Sequence, residues 1–197
     1  MFLLHASPDA PEESLVAQAN FVHTVAKPII SKEVRVAAVS FSDYANPKLS
    51  FGKGTNICAL TEALKDLSHD KWATRIEPVL RDAQKKFKKS KKPCKVLFLP
   101  IFGSLGSEGA NLKAAANLKK GGVKIFILEV TETPIKGVPD MSSQRGDGKP
   151  YHWWIPKKIW PTIVSYMGYM PEGQSWRGLG APVIYFGGEL LFFLSLS

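Results

Sequence analysis

The stretch that decides the fold is "CKVLFLPIFGSLGSEGANLKAAANLKKGGVKIFILEV", Cys94 to Val130. It opens on "CKVLFLPIF", apolar at nearly every position, as a strand covered on both faces must be. A small-residue loop follows, then "SEGANLKAAANLKKGG", a helix pattern closed by a glycine stop. "VKIFILEV" is a second apolar run of strand length. Strand, helix and strand in that order are the repeating unit of a parallel sheet.

Working outward, the same rhythm holds. "MFLLHA" reads as a first strand, and Leu15, Ala19, Val22 and Ala26 put one apolar face on a helix over Pro11 to Lys27. "EVRVAAVSFSD" (Glu33 to Asp43) reads as a strand. "PKLSFGK" (Pro47 to Lys53) reads as a shorter edge strand paired to it across "DYANP". Helices are expected over Asn56 to Leu67 and over Thr74 to Phe87. In the second, Ile76, Val79, Leu80, Ala83 and Phe87 fall at amphipathic spacing. "YHWWIP" suggests a last strand and "KKIWPTIVSYMGYM" a last helix. The fold expected is α/β: a doubly wound, mostly parallel sheet with helices on both faces. Residues 1–170 form this domain. The tail, Pro171 to Ser197, falls outside the rhythm and is expected to be irregular.

Composition sets the outer bounds. A chain of 197 residues, 45% hydrophobic and 22% charged, has the make-up of one ordinary globular domain. No apolar run approaches bilayer-spanning length, and "MFLLHAS" lacks the basic leader of a signal peptide. The formal charge is +9, and seven of the lysines lie in the eleven residues "KKFKKSKKPCK", Lys85 to Lys95. That run reads either as a solvated helix end whose lysines complement the macrodipole, or as a patch for a polyanion such as a glycosaminoglycan, through Lys85, Lys86, Lys88, Lys89, Lys91 and Lys92. Phe87 alone interrupts it and the helix core claims Phe87, so sequence-specific nucleic-acid recognition is not expected. Cys58 and Cys94 match no zinc spacing, and their pairing stays open.

"VRVAAVSFSDYANPKLSF", "TRIEPVLRDAQKKF" and above all "NLKAAANLKKGGVKIFILEVTE", in this order, resemble the von Willebrand factor type A domain over Phe2 to Met170. The resemblance implies a Rossmann-like sheet with one antiparallel edge strand and a role in adhesion or matrix assembly. It also places Met1 against the first strand, so the sequence reads as truncated at its N-terminus, with any export signal upstream.

The family's chemistry is a metal-ion-dependent adhesion site. It comprises a D-x-S-x-S loop after the first strand, a threonine from a second loop and an aspartate after the fourth strand. Mg²⁺ needs hard oxygen ligands with one or two carboxylates among them. Here the resemblance puts His5 at the first aspartate, Ser7 at the first serine, Asp9 at the second, Thr74 at the threonine and Phe102 at the final aspartate. Ser7, Asp9 and Thr74 are thus the remnant of a metal site lacking both expected carboxylates. No cofactor is expected, Mg²⁺ or Ca²⁺ entering only if that remnant works. Asp9 with Glu12, and Thr74 with Glu77, also carry the spacing of capping boxes.

The other histidines, His23, His69 and His152, show no metal-ligand spacing, and His5 with Ser7 lacks a nucleophile elbow and an orienting acid. "GSLGSEG" (Gly103 to Gly109) and "GKGT" at Gly52 match no phosphate-binding fingerprint and read as turns. Arg145, Gly146 and Asp147 form the tripeptide that many integrins read, in a polar loop. Trp153, Trp154 and Trp160 read as packing under the last helix, one of them exposed enough to serve a partner. The function expected is a non-catalytic binding module of extracellular-matrix type, metal-independent, with a matrix protein, an integrin or a glycosaminoglycan as partner. The alternative is a nucleotide- or phosphate-using enzyme on the same sheet.

Overall fold

In the computed structural model, residues 1–162 are described apart from 32 and 66. The apolar runs become strands β1 (Phe2–His5), β2 (Ala38–Phe41), β4 (Lys95–Phe102), β5 (Val123–Thr131) and β6 (His152–Pro156), all parallel. The edge strand β3 (Ala45–Leu49) runs antiparallel to β2, and the order across the sheet is β3-β2-β1-β4-β5-β6.

Alternation along each strand divides the core. Leu97, Leu99, Ile101, Ile125 and Ile127 point to one face, where α3 (Ile76–Lys88) and α4 (Glu108–Lys120) cover them with Val79, Leu80, Phe87, Ala115 and Leu118. Phe2, Leu4 and Ala38 point to the other, beneath α1 (Glu12–Ala26) and α2 (Ile57–Lys65). Each fully buried leucine or isoleucine here contributes about 1.5–3 kcal/mol. The amphipathic spacing read in α3 is the spacing that packs: Ile76, Val79, Leu80, Ala83 and Phe87 are all buried. α4 ends at Lys120, followed by Gly122 at φ 76°, the left-handed stop that "KKGG" predicts. A short α5 (Val138–Met141) precedes β6, and Lys157–Ile159 form a 3₁₀ turn after it.

Local departures from the sequence reading have local causes. β2 begins only at Ala38, because Glu33, Val34 and Arg35 are exposed and leave the chain outside the sheet. The turn to β3 is shorter than "DYANP": Ser42 N–H donates to Tyr44 O at 3.3 Å, so pairing resumes at Ala45 opposite Phe41. The "SFGK" half of the expected edge strand is instead a turn, closed by Lys53 N–H and Gly54 N–H donating to Ser50 O. Neither Asp9 nor Thr74 is the N-cap of its helix. α1 starts behind Pro11 and α3 behind Arg75, each without a side-chain cap, and Glu77 pairs with Arg81. The expected last helix, 157–170, is described only as far as Thr162, and the tail, 171–197, lies outside the described residues.

Candidate functional site

In a sheet wound both ways from its middle, ligands bind where the winding reverses, at the carboxyl ends of the strands. That point here lies between β1 and β4, and the two strands part there. They pair at Phe2 and Phe98, with Phe98 N–H donating to Met1 O at 3.0 Å. Two residues on, the same side of β4 presents Pro100, which has no N–H, and the ladder stops. The next donor on that side, Phe102 N–H, goes to the imidazole Nδ1 of His5 at 3.0 Å. The backbone of His5 is satisfied from α1: its N–H donates to Gln18 Oε1 (2.7 Å), and its carbonyl accepts from Gln18 Nε2 (3.1 Å).

This arrangement settles the tautomer of His5. Nδ1 accepts a hydrogen bond, so in the neutral ring Nε2 carries the proton. Nε2 lies 2.8 Å from Ser7 Oγ and 2.7 Å from Thr74 Oγ1, and donates to them. Ser7 Oγ and Thr74 Oγ1 are 2.7 Å apart, and Thr74 donates onward to Asp9 Oδ2 at 2.9 Å. Ser7 Oγ also accepts from Asp9 N–H at 3.2 Å. The ring is fully buried, stacked on Phe41 at 4.8 Å and 19°. Burial first, then the field of His69, pushes its pKa down to about 3. Imidazole, serine and threonine thus form one chain of hydrogen bonds running from Phe102 N–H to the carboxylate of Asp9.

The structure therefore brings together His5, Ser7, Asp9 and Thr74, drawn from the end of β1, the β1–α1 loop and the segment entering α3. Asp9 and Thr74, expected as caps, are instead bonded to each other. Phe102 contributes its N–H and a tilted ring contact, 5.7 Å from the His5 ring. Its ring is buried against Trp160 at 5.2 Å, in a small core with Ala17, Val130 and Ile155. Gly103, at φ 80°, lets the β4–α4 loop come close: a Cβ there would lie 2.9 Å from the Cβ of Asp9.

These residues do not fit a divalent ion. The one carboxylate is that of Asp9, and His5 Nε2 has no lone pair to offer while Phe102 N–H holds Nδ1. The same tautomer bears on catalysis: a base for Ser7 needs an unprotonated Nε2, and this one is a donor. The Gly103–Ser107 loop lies against Asp9, whose negative charge opposes a phosphate.

The remaining sites lie elsewhere. Arg145–Asp147 form a turn in which Gly148 N–H donates to Arg145 O at 3.0 Å. The guanidinium binds the Asp147 carboxylate at 2.5 and 3.2 Å and holds it below the usual carboxylate range. The two charges are joined rather than held apart. Lys85, Lys88, Lys89, Lys91 and Lys92 are exposed at the end of α3 and beyond, at the opposite end of the sheet, while Lys86 pairs with Asp82. Cys58 and Cys94 are free, exposed thiols. Trp160 is buried, and Trp153 and Trp154 are half-buried.

Sequence reading missed Gln18, whose only signal was a polar residue beside the apolar stripe of α1. It also missed a cleft of about 320 Å³ beside β2 and β3, lined by Tyr44, Lys48, His69, Asp70 and Trp72 among others. Tyr44 and Trp72 are its exposed aromatic residues. Separately, the fully buried Glu129 on β5 accepts from Ile135 N–H (2.6 Å) and Thr131 Oγ1 (2.9 Å), with His152 Nε2 at 2.8 Å. No helix among the described residues is long and apolar enough to cross a membrane.

The family model for the von Willebrand factor type A domain matches residues 1–152. Among solved structures, proximal thread matrix protein 1 from the mussel byssus, with a zinc-occupied MIDAS motif, is similar with a TM-score of 0.67 at 15% identity. That match covers 84% of this chain and 43% of the mussel chain, so the present chain spans less than half its length. The manganese-loaded Plasmodium vivax TRAP protein has a TM-score of 0.61 at 14% identity, over 82% of this chain and 71% of that one. The SpRpn10 VWA domain has a TM-score of 0.68 at 15% identity, over 85% and 92%. At these identities the likeness is one of fold. No curated protein matches the chain.

Proposed function

This chain belongs to the von Willebrand factor type A family, and on that premise we propose that it is a non-catalytic protein-binding module of adhesion type that engages its partner without a divalent cation. The observation that carries this reading is the wiring of His5. Its imidazole takes the place of the family's first carboxylate, spends Nδ1 on Phe102 N–H and turns a proton, not a lone pair, toward Ser7 and Thr74. A partner's acidic side chain then has no metal ion to complete.

Recognition falls instead to the loops at the carboxyl ends of the strands. Tyr44 and Trp72, 48% and 59% exposed, are the aromatic anchors there. An extracellular or matrix setting is supported by the family and by the likeness in fold to a byssus matrix protein. The Arg145–Asp147 turn stands apart from this reading, since an integrin would first have to open its internal ion pair.

The test is the thermal midpoint against Mg²⁺, Ca²⁺, Mn²⁺ and Zn²⁺ up to millimolar concentrations. A ligand that binds only the native state raises its stability by RT ln(1 + [L]/Kd), about 2.7 kcal/mol at a hundredfold excess over Kd. The expected result is no saturable shift with any of the four. A saturable rise that disappears on changing Asp9 to alanine overturns cation independence. Retention of the protein on a cell-deposited matrix should survive EDTA, and failure to be retained at all overturns the adhesion setting.

A further inference from the structure

Parallel strands collect their amino ends at one side of the sheet, opposite the rim just described. Backbone contacts order what lies there. Gly54 O accepts from Val36 N–H, Ala37 O from Phe2 N–H, and Val96 O from the Met1 amino group, each at 2.8 Å, while Lys95 lies opposite Val123 in register. The backbone positions of Lys53, Arg35, Lys95 and Lys124 therefore follow one another along this edge, Lys95 in register with the α3–α4 face of the sheet and Lys124 with the other. They span four strand spacings of ~4.8 Å, about 19 Å in all. Both helices that cover the first core face also end here. α3 delivers Lys88, Lys89, Lys91 and Lys92, and α4 delivers Lys120.

All of these are exposed except Lys95, which is half-buried, and none forms an ion pair among the described residues. The acidic groups at this end are few: Glu33 is exposed, Asp82 is taken by Lys86, and Asp140 lies beside Lys119. Asp9, Asp43 and Asp70 all lie at the other end of the sheet.

We propose that this basic end is a binding surface for a linear sulfated polysaccharide, with Lys53, Arg35, Lys95 and Lys124 as its track and the lysines ending α3 and α4 along one side. The proposal is independent of how the opposite rim meets its partner. A sulfated chain carries closely spaced charge without bases or tails, and the surface answers to charge alone. Among the described residues, Phe51 and Phe87 at this end are packed on each other at 5.5 Å and offer no open aromatic face for bases. Eight of the nine cations on the track and beside it are lysines, and Arg35 alone offers the planar fork that selects phosphate geometry. Such a surface fixes neither register nor sequence, and its affinity must fall steeply with salt as counterions return.

The test is titration of the full chain with a size-defined, fluorescently labelled heparin oligosaccharide from 50 to 200 mM NaCl, with circular dichroism checking the fold of each variant. Affinity should fall tenfold or more over that range. Arg35→Glu with Lys124→Glu, and separately Lys88→Glu with Lys89→Glu, should each weaken it at least tenfold. The gentler Arg35→Gln with Lys124→Gln should weaken it in the same direction, should the glutamate pair fail to fold. Lys157→Glu with Lys158→Glu, the same change of charge at the other end of the sheet, should alter it less than twofold. Equal loss in that control, no loss when Arg35 and Lys124 are changed, or no binding at low salt overturns the proposal. Tighter binding of duplex DNA or of phosphatidylserine vesicles at the same salt overturns the choice of polysaccharide. None of these outcomes bears on the cation titration, so the two readings fail separately.

Discussion

Replacing His5 by asparagine should flatten part of the acid dependence of stability. In the native protein His5 stays neutral down to about pH 3, because burial penalises the imidazolium and His69 adds to that penalty. In the unfolded chain the same group takes a proton near pH 6.5. Between those values the unfolded state holds one proton more than the native state, so stability is full above pH 6.5 and is lost as the pH falls toward 3. The slope for one proton is about 1.4 kcal/mol per pH unit, on the order of 4–5 kcal/mol over the whole window. Asparagine can still accept from Phe102 N–H but does not titrate. Carboxylates, the other histidines and the buried Met1 amino group act alike in both proteins and cancel in the difference. Urea unfolding at pH 7, 6, 5 and 4 should therefore show the two stabilities converging by about 1.4 kcal/mol per unit below pH 6, whatever their offset at pH 7. Parallel curves would mean that His5 is not held neutral, and the argument for its donor Nε2 would fall with them.

Other perturbations separate backbone crowding from free space and test the second buried network. Gly54→Ala would put a Cβ 1.6 Å from the Val36 carbonyl oxygen and should cost about 3 kcal/mol or more, or prevent folding. Gly109→Ala, in the first turn of α4 with nothing within 4 Å, should raise stability by roughly 0.5–1 kcal/mol, read by the same urea titration. Glu129→Leu strips the acceptor from Ile135 N–H, Thr131 and His152 and should cost about 3 kcal/mol, whereas Glu129→Gln should cost less. Asp147→Ala, which removes the ion pair with Arg145, should leave stability within about 1 kcal/mol by thermal melting.

The parts of this protein that its sequence determined are those governed by local pattern. The apolar runs at Val96–Phe102 and Val123–Val130 are of the kind that a strand covered on both faces requires, so they announce a parallel sheet. The spacing in α3 and the double glycine after α4 likewise fix which face packs and where a helix stops, because each depends on neighbours three or four residues away. The family resemblance placed Ser7, Asp9 and Thr74 in one site for the same reason: the order of elements dictates which loops meet.

What those residues do to one another was decided by tertiary structure alone. Read along the chain, Asp9 and Thr74 have the spacing of helix caps. In space, 65 residues apart, each is the other's partner at 2.9 Å. No local pattern shows that Pro100 interrupts the ladder beside β1, that Gln18 satisfies the backbone left open, or that Phe102 N–H then claims one nitrogen of His5. A hydrogen bond from a residue 97 positions away sets which nitrogen holds the proton. That long-range contact, not the residue type, links His5, Ser7 and Thr74 into one hydrogen-bonded network ending on the Asp9 carboxylate.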